Sequence, residues 1–486
     1  MNAILFYGAG AVFVVSCSFV LPLLVALAFG ENVARMALHA LLGVFLSGAV
    51  LTALAGRVRR PGPMAALAVM LFVWILLPVV VAVPMADLGG LTYVDGLFEA
   101  ASGLTTTGAS VMENVSVLPR SFVVLRSQLH WLGGIMTLLG IILVLAPLGI
   151  GGLSAQAVPR TSGRTSLLAA DRSASLLRTV AISYTAVTAA TFLAFLLCGV
   201  EPIIALCLAM TAVSSGGFLP FEGALLERTG PYALLVFTAV LLLASTSIYW
   251  HRMIVAWQRN RLRMHRESYC VIAVALLLSL ILFASIARVS AADGRGLLMV
   301  ESLFNAASLV STSGIESRPG ALTLVALPVV LFVMLAGGSA YSTSGGLKLY
   351  RLGGMLVQSG HELHRLVYPS GVLAPRFGSQ FFDAPMLRAI WSFFVAAIVV
   401  IALGSFAIAP GLPNFEAALV ATVSAFSGAG PLYEAGWAPP GQPEWPGWAA
   451  FDTPSKLVLC LVMLLGRVEV LAVVALFSVR YWRDRV

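Results

Sequence analysis

The chain has 486 residues, of which 59% are hydrophobic and only 10% are charged, and its mean hydropathy is +0.97. A soluble protein of this length needs a charged surface, so this composition excludes a soluble globular fold and indicates a chain that lies mainly in the lipid bilayer. The formal net charge of +8 does not indicate nucleic-acid binding, because the basic residues form no patch interleaved with aromatic side chains.

Apolar runs long enough to cross about 30 Å of hydrocarbon recur along the chain. They lie near residues 3–29, 36–56, 64–86, 121–150, 178–200, 231–257, 268–288, 321–344, 386–409 and 455–480. The runs predict about ten transmembrane helices and therefore an all-α integral membrane protein. The first run has no basic flank and is long for a signal peptide, so we expect it to persist as a helix.

Basic residues cluster after alternate runs. They are Arg57, Arg59 and Arg60; Arg160, Arg164, Arg172 and Arg178; Arg252, Arg259, Arg261, Arg263 and Arg266; Lys348, Arg351, Arg365, Arg376 and Arg388; and Arg480, Arg483 and Arg485. The intervening loops are richer in acid, for example at Asp95, Glu99 and Glu113. The positive-inside rule then predicts that both termini are cytoplasmic, which agrees with an even number of crossings.

A hydroxyl-rich segment that ends in glycine occurs four times between the apolar runs. The copies read FEAASGLTTTG (98–108), CLAMTAVSSGG (207–217), FNAASLVSTSG (304–314) and VATVSAFSGAG (420–430). They align without a gap, with hydroxyl residues at the fifth and eighth positions, and their final glycines are 109, 97 and 116 residues apart. This period predicts four copies of one unit, in which a short re-entrant helix and a glycine-bearing stretch lie between two long helices.

The glycine-bearing stretches indicate a pore. Non-helical backbone at membrane depth is tolerated only where it is buried in protein or lines a water-filled cavity. Glycine lets carbonyl groups approach a common axis, and the partly negative C-terminal ends of the short helices favour a cation there. The pattern predicts a carbonyl-lined cation filter around one central pore. Close helix packing through small residues is the alternative interpretation, and the fourfold recurrence favours the filter.

Two of the apolar runs carry features that a plain membrane helix lacks. GGSAYSTSGG (337–346) interrupts the eighth run, and such clusters break or unwind helices. Arg467 and Glu469 lie near the middle of the tenth run, where an unpaired charge is costly and indicates function. A close packing site and a structural ion pair are the respective alternatives. Lys348 and Arg351 are either positive-inside anchors or a regulatory contact.

These segments resemble the Trk/Ktr/HKT superfamily of potassium transporters, most closely its TrkH-type pore-forming subunits. The resemblance rests on TTTGAS (105–110), QLHWLGGI (128–135), SSGGF (214–218), STSGIE (311–316), GGSAYSTSGGLK (337–348), SAFSGAGP (424–431) and LLGRVEVL (464–471). It implies two N-terminal helices (1–60), four M1–pore helix–M2 repeats (61–152, 153–260, 261–350 and 386–486) around one pore, and a cytoplasmic linker (351–385).

The resemblance implies a K⁺ filter, with the ion bound at Gly108, Gly217, Gly314 and Gly430. Its candidate residues are Thr105, Thr106, Thr107, Gly108, Ser214, Ser215, Gly216, Gly217, Ser311, Thr312, Ser313, Gly314, Gly428, Ala429 and Gly430. The fourth copy reads SGAGP, so the filter glycine there is Gly428 or Gly430; the ten-residue spacing favours Gly430.

The resemblance also implies a gate below the filter, where Tyr341 replaces a residue that is usually small. Its candidate residues are Gly337, Gly338, Ser339, Ser342, Thr343, Gly345, Gly346 and Arg467. The implied assembly is a homodimer in the bacterial inner membrane, regulated by a separate cytosolic TrkA-like ring that binds nucleotides. The chain has no nucleotide-binding motif of its own, so we expect nucleotide only through that ring and no covalent cofactor.

The expected function is K⁺ uptake through a gated filter, without enzymatic activity. A channel and an H⁺- or Na⁺-coupled symporter would share this filter, and the residues do not decide between them. A secondary carrier for another solute is the less favoured alternative, because it predicts two halves in mirrored topology instead of four copies in one orientation.

Overall fold

The computed structural model describes residues 2–58, 61–153, 169–289, 294–368, 376–377, 380–438 and 443–477. The C-terminus and seven basic residues of the charge pattern lie outside these ranges: Arg59, Arg60, Arg160, Arg164, Arg480, Arg483 and Arg485. Within the ranges, eight helices are long and apolar enough to cross a membrane. The prediction of an all-α membrane protein is confirmed. A short antiparallel pair, β1 (Arg376–Phe377) with β2 (Gln380–Phe381), lies in the linker.

The N-terminal part forms two crossings. The helices are α1 (Asn2–Ser18), α2 (Val20–Ala28) and α3 (Ala34–Leu54). Helices α1 and α2 together make the first crossing, and α1 packs against α3 and against the first helix of repeat 1.

Repeats 1 and 2 have the expected long–short–long order of helices. Repeat 1 contains α4 (Pro63–Gly89), α5 (Tyr93–Leu104), α6 (Arg120–Gly140), a π-helical turn (Ile141–Leu145) and α7 (Ala146–Leu148). Repeat 2 contains α8 (Ala169–Leu197), α9 (Pro202–Ser214) and α10 (Leu225–Ser245). Proline at the first or second position starts α4 and α9, where its missing N–H has no helical partner to lose.

Repeats 3 and 4 follow two short connecting helices, α11 (Ile248–Val255) and α12 (Arg259–Met264). Repeat 3 contains α13 (Arg266–Val289), α14 (Arg295–Val310) and α15 (Leu327–Ala336), and α16 (Leu349–Val367) leads from its end into the linker. Repeat 4 contains α17 (Ala384–Ile408), α18 (Phe415–Ser427), α19 (Thr453–Val468) and α20 (Val470–Phe477). Short 3₁₀ turns occur at Val115–Val117, Ile150–Gly152, Leu322–Leu324, Ala409–Gly411, Gly430–Glu434 and Trp448–Ala450.

The second long helix of repeat 3 and that of repeat 4 are both broken. The predicted interruption of the eighth apolar run (321–344) is confirmed, because α15 ends at Ala336 and α16 begins only at Leu349. Gly337 has a φ of 64°, which an α-helix does not allow. In the last crossing Glu469 has a φ of 69° and separates α19 from α20. Both breaks fall on segments that the composition singled out.

The four short helices α5, α9, α14 and α18 end in the interior of the protein. The hydroxyl residue at the eighth position of each repeat is at most 1% exposed: Thr105, Ser214, Ser311 and Ser427. Large apolar side chains remain exposed on the outer helices, for example Leu197 and Leu280, and these are solvated by lipid tails. The polar residues of the repeat therefore meet at the centre of an apolar protein.

Candidate functional site

Each short helix is followed by a tight turn that we call a pore loop. Pore loop 1 comprises residues 105–108, loop 2 residues 215–217, loop 3 residues 311–314 and loop 4 residues 428–430. Two residues before the final glycine, the backbone is left-handed in every loop: φ is 58° at Thr106, 52° at Ser215, 60° at Thr312 and 76° at Gly428. Gly430 is therefore in register with Gly108, Gly217 and Gly314. Gly428 is in register with the left-handed hydroxyl residues Thr106, Ser215 and Thr312.

The same hydrogen bond closes all four loops. The N–H of the residue before the final glycine donates to the carbonyl five residues earlier: Thr107 to Ser102 (2.8 Å), Gly216 to Thr211 (2.9 Å), Ser313 to Ser308 (3.0 Å) and Ala429 to Ser424 (2.8 Å). This is the Schellman pattern, which satisfies a carbonyl at the helix C-terminus. The acceptors are the fifth-position hydroxyl residues that recur in the sequence.

Neighbouring pore loops contact one another in the cyclic order 1–2–3–4–1, and Gly217 of loop 2 also lies against Pro431, which directly follows loop 4. A Cβ atom on Gly108 would overlap the backbone of Gly217, which joins loops 1 and 2. The Ser313 hydroxyl donates to the Gly216 carbonyl (2.6 Å), which joins loops 2 and 3. The Gly430 N–H donates to the Thr107 carbonyl (2.7 Å), which joins loops 4 and 1.

Contact between loops 3 and 4 completes the ring. A Cβ atom on Gly314 would stand 3.0 Å from the Leu432 nitrogen and 3.2 Å from the Ala429 oxygen. Gly108 and Gly314 also have positive φ (79° and 71°), so backbone conformation as well as space requires glycine at these two positions. The four C-terminal helix ends therefore surround one small, buried, carbonyl-rich region, which carries negative potential.

The segment between α15 and α16, which we call the intramembrane loop (337–348), lies against the ends of the short helices. The Gly345 N–H donates to the Thr312 hydroxyl (2.7 Å), and a Cβ atom on Gly345 would overlap the Ser427 carbonyl. The Thr343 hydroxyl lies 3.2 Å from the Val213 carbonyl at the end of α9. The loop is thus in contact with repeats 2, 3 and 4 just beside the pore loops.

Arg467 connects the intramembrane loop to the remaining repeat. Its Nη2 donates to the Thr343 carbonyl (2.6 Å) and to the hydroxyl of Thr106 in pore loop 1. The side chain is buried, and among the described residues none forms an ion pair with it. Arg467, which the resemblance implies as a gate residue, is therefore in contact with the intramembrane loop.

The neighbouring charges of the broken helices form a separate cluster. Arg351 pairs with Glu469 (2.5 Å), donates to the Gly151 carbonyl (2.7 Å) and stacks 4.0 Å above the Phe393 ring. The Lys348 ammonium donates to the Ser344 carbonyl within the intramembrane loop. Neither cation is exposed, so the interpretation of both as interfacial anchors is wrong.

A cavity of about 560 Å³ adjoins the intramembrane loop. Tyr341 and Thr343 form part of one wall, and the remainder is mostly apolar side chains of α6, α8, α10 and α11. Tyr341 packs edge-on against Tyr249 at 4.9 Å, so the large residue at this position fills space between the loop and α11. The cavity leaves room for this part of the loop to move.

Several residues behind the pore loops were not identified from the sequence. Glu99, which the sequence places both in a predicted short helix and among the acids between two crossings, is fully buried in α5 and pairs with Arg126 of α6. The sequence signal for this ion pair was Arg126, a charged residue within the apolar run 121–150. Outside the membrane helices, burial raises the pKa of Glu316 to about 7, although the N–H groups of Gly320 and Leu322 oppose this rise.

Comparison with known proteins gives the family. The TrkH family of cation transport proteins matches residues 64–485. The chain belongs to the TrkH family. Among its relatives, the Trk system potassium uptake protein TrkH of Halomonas elongata is 29% identical over 419 residues, which cover 84% of each chain. The Trk system potassium uptake protein TrkG of Escherichia coli is 29% identical over 436 residues, covering 85% of this chain and 84% of TrkG.

A solved TrkH structure has the same fold. The crystal structure of the potassium transporter TrkH from Vibrio parahaemolyticus aligns with a TM-score of 0.85 over 99% of both chains, at 23% sequence identity. Membership in the TrkH family accounts for the multi-span architecture and establishes the chain as a membrane transport protein.

Proposed function

We propose that the chain is the pore subunit of a Trk-type system and carries K⁺ into the cell through a filter made by the four pore loops. The closed ring of contacts among these loops is the observation that carries the proposal, since it brings four equivalent helix ends and their carbonyl groups to one place. K⁺ would lie between Gly108, Gly217, Gly314 and Gly430. The relatives named as potassium uptake proteins support this choice of ion.

We further propose that the intramembrane loop is the gate. Its contacts with the ends of three short helices put it where it blocks an ion that leaves the ring. Arg467 holds it through the Thr343 carbonyl and adds a fixed positive charge that repels K⁺. Opening would move residues 341–343 into the adjoining cavity.

The proposed assembly is a homodimer in the bacterial inner membrane, with both termini cytoplasmic and a TrkA-like nucleotide-binding ring docked below. An exposed apolar stripe on α16 supports self-association, because Leu356, Leu363 and Val367 lie on one helical face. The basic segments at 251–266 and 348–388, apart from the buried Lys348 and Arg351, are the surfaces that we assign to the ring.

Cation flux in proteoliposomes of the purified chain tests the proposal. K⁺, Na⁺ and H⁺ gradients are imposed in turn, with and without the nucleotide-binding partner. K⁺ flux that follows its own gradient and exceeds Na⁺ flux supports a selective channel, and K⁺ flux that requires Na⁺ or H⁺ makes the protein a symporter with the same filter. Absence of K⁺ flux under every gradient, with the partner present, contradicts the proposal.

A further inference from the structure

Two of the four pore loops are held from behind by the same backbone contact. The Glu99 carboxylate accepts a hydrogen bond from the Val111 N–H (2.7 Å). In repeat 3 the Asn305 side-chain oxygen accepts one from the Ser317 N–H (3.0 Å). Glu99 and Asn305 each stand nine residues before the final glycine, and Val111 and Ser317 stand three after it. The contact therefore fixes the outgoing end of the loop to its own short helix.

Repeats 2 and 4 lack this contact, and their sequences show why. Repeat 2 has Leu208 and Pro220 at the two positions, and proline has no N–H that needs an acceptor. Repeat 4 has Ala421 and Tyr433, and Tyr433 lies within the 3₁₀ turn Gly430–Glu434, whose backbone forms its own hydrogen bonds. Among the four repeats, the polar side chain is present where a buried N–H requires it.

In repeat 1 the contact is charged and extends to the next repeat. Glu99 is fully buried, and Arg126, 2% exposed, pairs with it at 3.2 Å. The Ser110 hydroxyl donates to Glu99 (2.7 Å) and accepts from Arg126 (2.6 Å). These bonds compensate both buried charges, as a buried ion pair requires.

The same arginine touches pore loop 2. Its guanidinium lies 4.1 Å from the ring centre of Phe218, the residue that directly follows Gly217. One turn further along α6, His130 stacks on Phe218 at 4.2 Å, and a Cβ atom on Gly216 would overlap the His130 ring. The ion pair of repeat 1 therefore supports the outgoing ends of loops 1 and 2 together.

We propose that Glu99, with Arg126, and Asn305 are positioning residues that set the selectivity of the pore for K⁺ over Na⁺. The proposal rests on the proposed function, because these side chains touch the loops and not the ion. The two cations differ in size, and in the size-based account of selectivity a carbonyl ring prefers K⁺ when its loops resist contraction around Na⁺. A loop whose outgoing N–H loses its acceptor is free to shift, and the carbonyl positions shift with it.

The test compares two double variants that differ only at the acceptor. Glu99→Gln with Arg126→Met keeps an oxygen for the Val111 N–H and removes both charges. Glu99→Leu with Arg126→Met removes the oxygen as well. In repeat 3, Asn305→Ala removes the acceptor, and Ser302→Ala is the matched control, because Ser302 is buried in the same helix and its hydroxyl donates to the Met299 carbonyl. K⁺ and Na⁺ fluxes of the full chain in proteoliposomes and thermal unfolding in detergent are measured for each.

We expect Asn305→Ala and the leucine double variant to lower the K⁺/Na⁺ flux ratio by about tenfold. The glutamine double variant is expected to lose only part of that ratio, because it keeps the acceptor for the Val111 N–H but lacks the contact of Arg126 with Phe218. Ser302→Ala is expected to keep the wild-type ratio. A wild-type ratio in a folded Asn305→Ala protein overturns the proposal, and so does an equal loss in both double variants. If the proposed function is wrong, the wild-type chain itself shows no preference for K⁺ over Na⁺. This result is distinguishable from failure of the positioning proposal, in which only the variants are informative.

Discussion

The four pore loops have nearly the same backbone, whereas the second long helices just below them differ from repeat to repeat. At the pore loops the four repeats share one backbone: the left-handed residue, the closing hydrogen bond and the final glycine recur in each. Below them the second long helices differ: that of repeat 1 continues through a π-helical turn, that of repeat 2 ends at Ser245, and those of repeats 3 and 4 break at 337–348 and at Glu469. The proposed filter is made of the equivalent loops of all four repeats, and the proposed gate is made of a segment that differs among the repeats.

The difference has a physical reason. A small cation on an axis is best held by equivalent ligands from all sides, so selection benefits from symmetry. A gate needs one element that moves relative to the others, and a symmetric ring offers no such element. We propose that the intramembrane loop is that element, because it belongs to one repeat and reaches the others through hydrogen bonds such as those of the Ser339 N–H to the Ser245 carbonyl and of Arg467 to the Thr343 carbonyl.

The largest expected effect comes from breaking the symmetry of the pore loops. A Cβ atom in Gly430→Ala would overlap the backbone of Gly108 and Ala109. Overpacking typically costs about 1–3 kcal/mol, so we expect the K⁺/Na⁺ flux ratio to fall roughly tenfold to 100-fold. The measurement is paired K⁺ and Na⁺ flux in proteoliposomes.

Gly428→Ser is the matched control for this register. Gly428 corresponds to Thr106, Ser215 and Thr312, so the left-handed position accepts a hydroxyl residue in the other repeats. The nearest atom to a Cβ there, the Thr105 oxygen, stands 3.9 Å away. We expect a near wild-type flux ratio. Greater damage from Gly428→Ser than from Gly430→Ala would reverse the assigned register.

The next effect is on the gate alone. Arg467→Ala removes two hydrogen bonds from a charged donor, each worth about 1.5–3 kcal/mol, and removes the fixed positive charge below the ring. We expect K⁺ flux to rise by about tenfold or more with the K⁺/Na⁺ ratio unchanged.

Arg365→Ala is the control, because Arg365 forms an exposed pair with Glu362 at 3.3 Å and such pairs contribute about 0–1 kcal/mol. Its flux should equal that of the wild type. Unaltered K⁺ flux in Arg467→Ala, or a changed K⁺/Na⁺ ratio, would contradict a role of Arg467 in the gate alone.

The smallest expected effect is on the free energy of unfolding, and it differs between the repeats. The Thr211 and Ser308 hydroxyls donate to the carbonyls of Phe218 and Ile315 at 3.0 and 2.6 Å. The equivalent hydroxyls of Ser102 and Ser424 have no hydrogen-bond partner in the described part of the chain.

Thr211→Val and Ser308→Ala should therefore each lower the free energy of unfolding by about 1 kcal/mol. Ser102→Ala and Ser424→Ala should change it by less than about 0.5 kcal/mol. Chemical denaturation in mixed micelles measures both pairs. Equal losses in all four variants would mean that the fifth-position hydroxyls act alike.

The sequence predicts the four pore loops better than it predicts the broken helices and buried charges below them. Helix type, repeat number and the positions of both interruptions are local signals, carried by apolar runs, matched spacing and clusters of glycine and serine. The partners of the buried charges are not local: Glu469 pairs with Arg351, far away in the sequence, and Arg467 reaches Thr106 in the first repeat. Packing decides such pairs, so the sequence predicts neither the pairing of Glu99 with Arg126 nor that of Arg351, which it leaves as either an anchor or a regulatory contact.

The most direct measurement is the position of the ion. Crystals of the protein soaked in Tl⁺, a K⁺ analogue with strong anomalous scattering, would locate the bound cation without reference to flux. We predict an anomalous peak inside the ring, between Gly108, Gly217, Gly314 and Gly430, that becomes stronger when Na⁺ replaces K⁺ as the competing ion at low Tl⁺. Tl⁺ bound elsewhere in the transmembrane part with none inside the ring would contradict the account.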